Sequence, residues 1–410
     1  MNTKPISVIL MAAFCFLAVT YATAQTVKTY NSYRGLVMAG YQGWFSTPDD
    51  GGNRGWYHYQ GKQGFKPGST NVDLWPDVSE YEKTYESPFT YDDGTKARLF
   101  SSRDASTVDT HFKWMYEYGI DGVFVQRFVV DQKWPLGKAH HDTVLDNCIR
   151  SATKYGRAVC VMYDLSGMQK GDEKVVLNDI QQLARKYKLF DHSKIPSYLY
   201  HNGKPLVAVW GVGFNDVRKY GFEETEAIIR GLKQMGYSVL IGVPGYFRDM
   251  KGDALKDKRL HQQIRMCDIV LPWFVGRYDA KSFASFQHRI IEDMAWARQN
   301  KVDYAPVVFP GFSWRNMNYP KTNTAFMPRN KGSFYKAQLD FNVKNGAEMI
   351  YVAMFDEIDE GTAIFKISRR VPTPTGGSDF LPLEKGVKSD HYLKLTGKAA
   401  KKLRKRLGIK

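Results

Sequence analysis

The sequence predicts a single-domain (β/α)8 barrel, known as a TIM barrel, and three observations support this fold class. Eight short apolar runs recur along the chain, and segments with helical periodicity lie between them. The runs are continuously hydrophobic, which is typical of parallel strands buried on both faces. A length of 410 residues is common for one barrel with insertions. A doubly wound sheet is the main alternative, but the chain has neither a Gly-x-Gly-x-x-Gly motif after its first strand nor a P-loop.

The predicted elements alternate along the chain, as a barrel requires. The eight strands are predicted at Leu36–Trp44, Gly122–Val129, Ala158–Asp164, Leu206–Trp210, Ser238–Val243, Ile269–Phe274, Tyr304–Phe309 and Met349–Phe355. The helices are predicted at Asp104–Tyr118, Lys138–Tyr155, Glu173–Tyr187, Glu223–Met235, Asp257–Met266, Lys281–Asn300, Gly332–Asn345 and His391–Leu407. Gly119 and Gly156 follow the first two helices, where a glycine favours a helix end.

Three connecting segments stand out by their length. Residues Ser46–Arg103 separate the first strand from the first helix, and a shorter excursion spans Asp131–His141. Long loops inside a compact domain are usually functional. Because Ser46–Arg103 follows the C-terminal end of a strand, we expect it to form a wall or lid over the barrel's active face. The tail Pro372–Asp390 is predicted to be a packing strap before the last helix.

The N-terminal residues have the pattern of a secretory signal peptide. Lys4 precedes an apolar run from Val8 to Val19, and Ala22-Thr23-Ala24 follow. We therefore predict a signal peptide over residues 1–25, with cleavage after Ala24 and the barrel over 26–410. The apolar run is too short to span a bilayer. The sequence predicts a secreted or periplasmic protein without a membrane span.

Charge and cysteine content exclude several other classes. The formal net charge is +16, partly because basic residues crowd the last helix. We interpret this run as a solvated helix face rather than a nucleic-acid site, since no recognition motif accompanies it. Cys148, Cys160 and Cys267 lie among apolar or helix-forming neighbours and are predicted to be buried free thiols. The sequence leaves the oligomeric state open.

Polar and aromatic residues are concentrated where the predicted strands end. Barrel active sites are built at the C-terminal ends of the strands, so we expect these side chains to share one face. Aromatic residues make up 14% of the chain, more than core filling explains, and aromatic rings serve as sugar-stacking surfaces. The candidate substrate-binding residues are Tyr41, Gln42, Trp44, Gln126, Tyr163, Asp164, Trp210, Trp273, Arg277 and Asp356. Arg127, Trp314 and Arg315 also occupy such positions.

The eighth predicted strand ends in Asp356-Glu357-Ile358-Asp359-Glu360-Gly361, which places four acids within five residues. If the chain curls into a turn here, Glu357 and Glu360 point the same way with Cβ atoms about 5–6 Å apart. Paired carboxylates at such range hold different pKa values, one ionised and one protonated. Glycoside cleavage requires this combination. An exposed acidic turn is the alternative.

This motif resembles one in glycoside hydrolase families 71 and 99, and especially family 99, the endo-α-mannosidases. The family pattern Asn-Glu-Trp-His-Glu-Gly is matched at both glutamates and at the glycine. The resemblance also includes Gly40-Tyr41-Gln42-Gly43-Trp44-Phe45, Gly55-Trp56-Tyr57-His58 and Tyr163-Asp164-Leu165-Ser166-Gly167. It extends loosely over the whole barrel, and the strand-eight motif is its specific part.

The resemblance implies a metal-free retaining glycosidase that acts on an oligo- or polysaccharide. Glu360 would be the general acid and base, and Glu357 would assist the sugar 2-hydroxyl as it forms a 1,2-anhydro sugar. Ile358 and Asp359 depart from the family's Trp and His, so the sugar and the linkage stay open. A non-catalytic glycan-binding barrel is the alternative function. Neither a metal nor another cofactor is expected, because His140 and His141 point in different directions on a helix and have no evident third ligand.

Overall fold

A parallel sheet that closes on itself forms the core of the computed structural model, which describes residues 28–317 and 326–409. The strands are β1 (Val37–Tyr41), β2 (Tyr85–Thr90), β3 (Lys96–Leu99), β4 (Gly122–Phe128), β5 (Ala158–Asp164), β6 (Tyr200–His201), β7 (Lys204–Trp210), β8 (Ser238–Pro244), β9 (Ile269–Trp273), β10 (Asp303–Tyr304), β11 (Val307–Val308), β12 (Phe312–Ser313), β13 (Phe326–Met327) and β14 (Ile350–Val352). The order of the parallel strands is β10-β9-β8-β7-β5-β4-β1-β14-β11. Because β10 and β11 are successive parts of one strand, the sheet closes as an eight-stranded barrel. The predicted TIM-barrel fold is confirmed.

Helices follow the barrel strands and cover the outside of the sheet. They are α1 (Ala105–Tyr118), α2 (Val129–Gln132), α3 (Pro135–Tyr155), α4 (Glu173–Tyr187), α5 (Phe222–Gln234), α6 (Arg259–Met266), α7 (Phe283–Gln299), α8 (Ser333–Lys344) and α9 (His391–Leu407), and a 3-10 turn spans Asn330–Gly332. Gly119 and Gly156 have φ of 76° and 57°, the left-handed conformation in which glycine ends a helix without a steric penalty. The helix ends predicted at both glycines are confirmed.

The seventh barrel strand is predicted as one continuous run, Tyr304–Phe309, but in the structure it consists of two parts. It is divided into β10, which pairs with β9, and β11, which pairs with β14. Pro306 lies between the two parts and has no N–H to donate. Its carbonyl accepts a hydrogen bond from Tyr351 N at 3.0 Å, while Ala305 N donates to Val270 O at 2.9 Å. The pairing therefore changes from one neighbouring strand to the other at the proline.

The two predicted excursions contain regular structure that the sequence patterns did not indicate. The β2–β3 hairpin lies within Ser46–Arg103, and the end of α2 and the first two turns of α3 lie within Asp131–His141. Pro135 begins α3, a position where its missing N–H is not needed. Within Ser46–Arg103, Asp73 N and Leu74 N both donate to Ile358 O, at 3.1 and 3.0 Å. These bonds tie the long segment to the loop after β14.

Further predictions concern the cysteines, the C-terminal strap, the membrane span and the signal peptide. Cys148, Cys160 and Cys267 are free and buried, as expected. The strap prediction is supported by Leu381 N and Leu383 N, which donate to Asp73 O and Ser368 O. Within the described ranges, no helix has the length and apolar character needed to cross a membrane. The predicted signal peptide lies outside the described residues.

Candidate active site

A cavity of about 700 Å³ opens at the C-terminal ends of the barrel strands. This volume is within the range of sites for small molecules and short oligomers. The residues lining it come from the loops after seven of the barrel strands and from the long segment after β1. They are Gln42, Trp44, Tyr57, His58, Gln126, Phe128, Val130, Asp131, Asp164, Ser166, Trp210, Phe214, Asp216, Arg218, Trp273, Val275, Gly276, Arg277, Phe312, Trp314, Met327, Met354, Glu357 and Glu360.

The loop after β14 carries both predicted catalytic glutamates into this cavity. Residues 358–361 form a turn, as the spacing predicted. Backbone N–H groups of Thr362 and Ala363 donate to the Glu357 carbonyl at 3.1 and 2.9 Å. Gly361 has φ of 67°, a conformation that favours glycine. The turn therefore places Glu357 and Glu360 on the same cavity wall.

The side chain of Glu357 is buried and held by two neutral donors. The amide nitrogen of Gln42 donates to Oε1, and the hydroxyl of Thr362 donates to Oε2. Burial raises its pKa well above the ordinary range, and the charges of Glu360 and Asp359 add to this shift. The bonds from Thr362 and Gln42 oppose it, because donors favour the ionised form.

Glu360 is half-buried and interacts with the Trp314 side chain. Burial raises its pKa to about 8, and the charges of Asp359 and Asp164 contribute further while Trp314 opposes the shift. Two ionised carboxylates in one buried site repel each other, so the pair keeps a proton to higher pH than isolated glutamates would. One protonated and one ionised carboxyl is the combination needed for acid–base chemistry.

An aromatic stack forms the wall of the cavity beside the glutamates. The rings of Trp44 and His58 are parallel, with centroids 3.6 Å apart and an interplanar angle of 7°. Phe128 also stacks with Trp44, at 5.0 Å. Trp44 therefore packs against two rings, and it is only 8% exposed. Nδ1 of His58 lies 3.1 Å from Oδ2 of Asp359, which connects this wall to the acidic turn.

A second cluster of polar side chains on the cavity wall is centred on Asp131. Its carboxylate accepts hydrogen bonds from the Tyr57 hydroxyl at 3.0 Å and from His141 Nε2 at 2.9 Å. The guanidinium of Arg54 lies 3.7 Å away and stacks over the Tyr57 ring. Burial alone would raise the pKa of Asp131, but His141, Arg54 and Tyr57 together hold it below its ordinary value. Asp131 is thus an ionised acceptor facing the cavity.

The opposite side of the cavity is formed by tryptophans and arginines. Trp210 and Trp273 meet edge to face, with centroids 5.3 Å apart. The guanidinium of Arg218 lies 5.0 Å from the centre of the Trp210 ring, and Arg277 Nε donates to Asp253 at 2.5 Å. Aromatic faces with polar groups at their edges are suited to sugar rings, which have apolar faces and hydroxyl edges.

Nine of the twelve predicted site residues line the cavity, and three do not. The Tyr41 hydroxyl is 2.8 Å from His111 Nδ1, and the Tyr163 hydroxyl donates to Asp179 at 2.6 Å. Asp356 accepts the backbone N–H groups of Gln42 and Gly43, at 2.8 and 2.9 Å. The expectation that these three side chains contact the sugar is therefore corrected: all three are buried behind the cavity wall.

Arg127 and Arg315 also lie outside the cavity lining. Arg127 forms an ion pair with Asp179 at 2.6 Å on the outside of the barrel, and Arg315 pairs with Asp379. Several lining residues were not predicted as contacts, including His58, Asp131 and Arg218. The resemblance of Gly55-Trp56-Tyr57-His58 to the family was the available signal for His58.

No metal site is found among the described residues, where no three or more His, Cys, Asp or Glu side chains group in a way that would hold an ion. His140 Nε2 is instead 2.7 Å from the Gly43 carbonyl, and His141 bonds Asp131. These contacts orient the end of β1 and the Asp131 carboxylate.

Comparison with known proteins identifies the family. The model of glycosyl hydrolase family 99 matches residues 32–405. A family 99 endo-α-mannosidase from Bacteroides thetaiotaomicron, in complex with bis-tris-propane, has a TM-score of 0.65 at 16% identity and covers 91% of this chain and 98% of its own. Another structure of a family 99 endo-α-mannosidase from that organism gives 0.63 at 16% identity, covering 91% and 99%. A glycoside hydrolase-like protein gives 0.53 at 12% identity, covering 91% and 94%.

These structures share the barrel fold with this chain, and no curated protein sequence matches it. The family match extends from before β1 to the last helix, so it includes every strand of the barrel and the whole cavity. The chain therefore belongs to glycosyl hydrolase family 99 and is a glycosidase.

Proposed function

We propose that this protein cleaves an α-mannoside within an oligo- or polysaccharide, with retention of configuration, and that Glu357 and Glu360 are its catalytic residues. The observation that carries the proposal is that both glutamates line one cavity, where Glu357 is held by Gln42 and Thr362. Two structures with the same fold are of family 99 endo-α-mannosidase from Bacteroides thetaiotaomicron, which supports the substrate class and cleavage within a chain.

In the first step, ionised Glu357 removes the proton of the sugar 2-hydroxyl. The freed O2 attacks the anomeric carbon, and protonated Glu360 donates its proton to the departing glycosidic oxygen. A 1,2-anhydro sugar and a shortened glycan result. Burial favours the protonated form of both glutamates, and mutual repulsion leaves the pair with one proton. We assign that proton to Glu360, because Glu357 accepts hydrogen bonds from Gln42 and Thr362 that favour its ionised form.

In the second step, Glu360 removes a proton from a water molecule, which attacks the anomeric carbon. The C1–O2 bond breaks, and Glu357 returns its proton to O2. Two inversions at the anomeric carbon give net retention, and both carboxyls return to their starting states. Each glutamate thus alternates between acid and base without forming an ester with the sugar.

The two departures from the family motif leave the glutamates in place. Ile358 and Asp359 are both fully buried and do not line the cavity. Asp359 nevertheless affects the cavity through its contact with His58. We propose that the protein acts outside the cytoplasm, secreted or periplasmic, since residues 1–25 have the pattern of a signal peptide.

The test is digestion of α-linked mannans and mannose-containing glycans by the wild type and by Glu360→Gln and Glu357→Gln variants. Removal of a general acid or base lowers turnover by about 10²–10⁴-fold. We expect each variant to lose activity by at least this factor while it remains folded. Glu226→Gln is the matched control, because Glu226 makes an exposed helix pair with Arg230.

Proton NMR of the first product distinguishes retention from inversion. An initial α-anomer supports the proposed mechanism, and an initial β-anomer contradicts it. Glycan binding without product release by the wild type would contradict the hydrolase proposal and support a binding protein. Full activity in Glu360→Gln would contradict its assignment as the acid.

A further inference from the structure

Half-buried His58 and buried Asp359 form a pair that the proposed reaction does not use. Asp359 is fully buried, and His58 belongs to the long segment after β1. Nδ1 of His58 lies 3.1 Å from Oδ2 of Asp359, and in the described part of the chain no other side chain bonds this carboxyl. Burial of a carboxyl with one side-chain partner costs free energy, which raises the question of what task this pair performs.

The imidazole ring of His58 has a fixed orientation. Asp359 holds one edge of the ring, and stacking on Trp44 at 3.6 Å fixes its plane. Tyr57 meets the ring edge-on at 4.9 Å. These contacts restrain both side-chain torsions of His58, so its second nitrogen also has a defined direction.

That second nitrogen, Nε2, is available to a ligand. The His58 side chain is 25% exposed and lines the cavity. Among the described residues, none makes a hydrogen bond with Nε2. In neutral His58 one ring nitrogen carries a proton and the other accepts one, so Nε2 can form one hydrogen bond with a ligand in either tautomer. A sugar hydroxyl has matching chemistry, because it can both donate and accept a hydrogen bond.

We propose that His58 is a substrate-contacting residue whose Nε2 forms a hydrogen bond with a hydroxyl of the sugar bound beside Glu360, and that Asp359 is its positioning residue. The inference rests on the proposed function, because it takes a mannose-containing glycan as the ligand. Asp359 precedes Glu360 in the same turn, and His58 and Glu360 both line the cavity.

Two substitutions of His58 separate this role from a purely structural one. Asparagine keeps a polar atom near the position of Nδ1 and loses the one at Nε2, whereas glutamine keeps a polar atom near Nε2. A contact with substrate predicts that His58→Gln binds glycan better than His58→Asn. A structural pair with Asp359 predicts the reverse order.

The experiment is titration calorimetry of α-linked mannobioses and mannotrioses with the Glu360→Gln protein, alone and combined with each His58 variant or Asp359→Asn. We expect His58→Asn to weaken binding by roughly five- to tenfold, the effect of one lost hydrogen bond. His58→Gln should stay within about threefold, and Asp359→Asn should fall between the two. His201→Asn is the control, since His201 pairs with Asp303 at 2.9 Å outside the cavity lining.

Equal affinities in the two His58 variants, or tighter binding by His58→Asn, would overturn the inference. Hydrolysis of the same glycans by the wild type tests the proposed function separately. If the wild type binds but does not hydrolyse, the proposed function fails while the order of affinities still decides the role of His58. The absence of binding by every α-mannoside would overturn both.

Discussion

Two groups of buried acids lie near the C-terminal ends of the barrel strands, and they differ in what surrounds them. On the outer side, Asp179 accepts two hydrogen bonds from the Arg127 guanidinium, at 2.6 and 2.7 Å. On the cavity side, the side-chain donors to Glu357 within residues 28–317 and 326–409 are the neutral groups of Gln42 and Thr362. Glu360 interacts with Trp314, which is also neutral.

The difference separates acids that hold the fold from acids that can exchange protons. Asp179 faces a permanent positive charge, because a guanidinium does not lose its proton at accessible pH. The carboxyls of the loop after β14 have no guanidinium partner among the described residues, so burial raises their pKa, to about 7 for Asp356 and to about 8 for Asp359 and Glu360. An acid that titrates near neutral pH can both donate and accept a proton.

Removal of the positive charge beside Asp179 should have the largest effect on the free energy of unfolding. Arg127→Met leaves Asp179 buried with only the more distant Lys138 Nζ, at 3.7 Å, as a cation, and breaking a buried pair costs about 3–5 kcal/mol. We expect the free energy of unfolding, measured by urea denaturation, to fall by this amount. The variant that remains folded should keep its affinity for glycan within a few fold, because Arg127 does not line the cavity. A loss below about 1 kcal/mol would contradict the structural role.

The same acid-to-amide change should have opposite effects in the two groups. At pH 8, Asp179→Asn removes one of the two carboxylates that pair with Arg127, the other being Asp142 at 2.8 Å, and we expect a loss of about 2–4 kcal/mol of stability. Glu360→Gln removes an acid that forms no ion pair with the residues described by the structure, so we expect unchanged stability or a gain of about 1 kcal/mol. Thermal unfolding of both variants at pH 8 checks the comparison. Destabilisation of both by similar amounts would remove the distinction between the groups.

The pH dependence of stability tests the same difference between the two groups of acids. Burial raises the pKa of Glu360 from its ordinary value near 4.5 to about 8. The folded state therefore keeps a proton that the unfolded state loses, and the contribution of Glu360 to stability falls as pH rises from about 4.5 to 8. Each such group changes the unfolding free energy by at most about 1.4 kcal/mol per pH unit.

Denaturation at pH 5, 6.5 and 8 measures this slope. We expect the stability of Glu360→Gln relative to the wild type to increase with pH over this range, because the variant has no carboxyl to titrate. Glu226→Gln is the control and should follow the wild type at every pH. A constant difference between Glu360→Gln and the wild type would contradict the raised pKa.

Most of the barrel was predictable because its signal is local. Continuous apolar runs identify buried parallel strands, and glycines after helices mark their ends. The division of the seventh strand was not visible, because Ala305 and Pro306 lie in the middle of an apolar run. Which neighbour each part of the strand contacts depends on how the barrel closes, and this is a long-range property.

The three corrected site residues have one cause in common. Tyr41, Tyr163 and Asp356 each precede a residue that lines the cavity: Gln42, Asp164 and Glu357. Successive side chains in an extended chain point to opposite faces, so both members of such a pair cannot line the same cavity. Strand alternation was the signal that would have separated them. Asp131 and Arg218 belong to loops, and no periodic pattern indicates where a loop places its side chains.

The smallest predicted effect follows from removal of one of the two neutral donors to Glu357. Thr362→Val keeps the shape of a fully buried side chain but removes the hydroxyl that donates to Glu357. Loss of one hydrogen bond to a charged group costs about 1.5–3 kcal/mol. We expect about 1.4 kcal/mol of this loss to raise the activation barrier, which corresponds to a tenfold lower kcat. Because Glu357 then ionises less readily, the deficit in kcat should be larger at pH 6 than at pH 8.

Steady-state rates on α-mannoside substrates at both pH values measure this effect, with Thr225→Val as the matched control. Thr225 is also buried, and its hydroxyl donates to Gln263 at 2.8 Å, outside the cavity. Its loss should reduce stability without changing kcat. If Thr362→Val also changes only stability, then Thr362 supports the turn rather than the charge of Glu357, and Gln42 alone would remain as the donor that keeps this carboxylate ready to accept a proton.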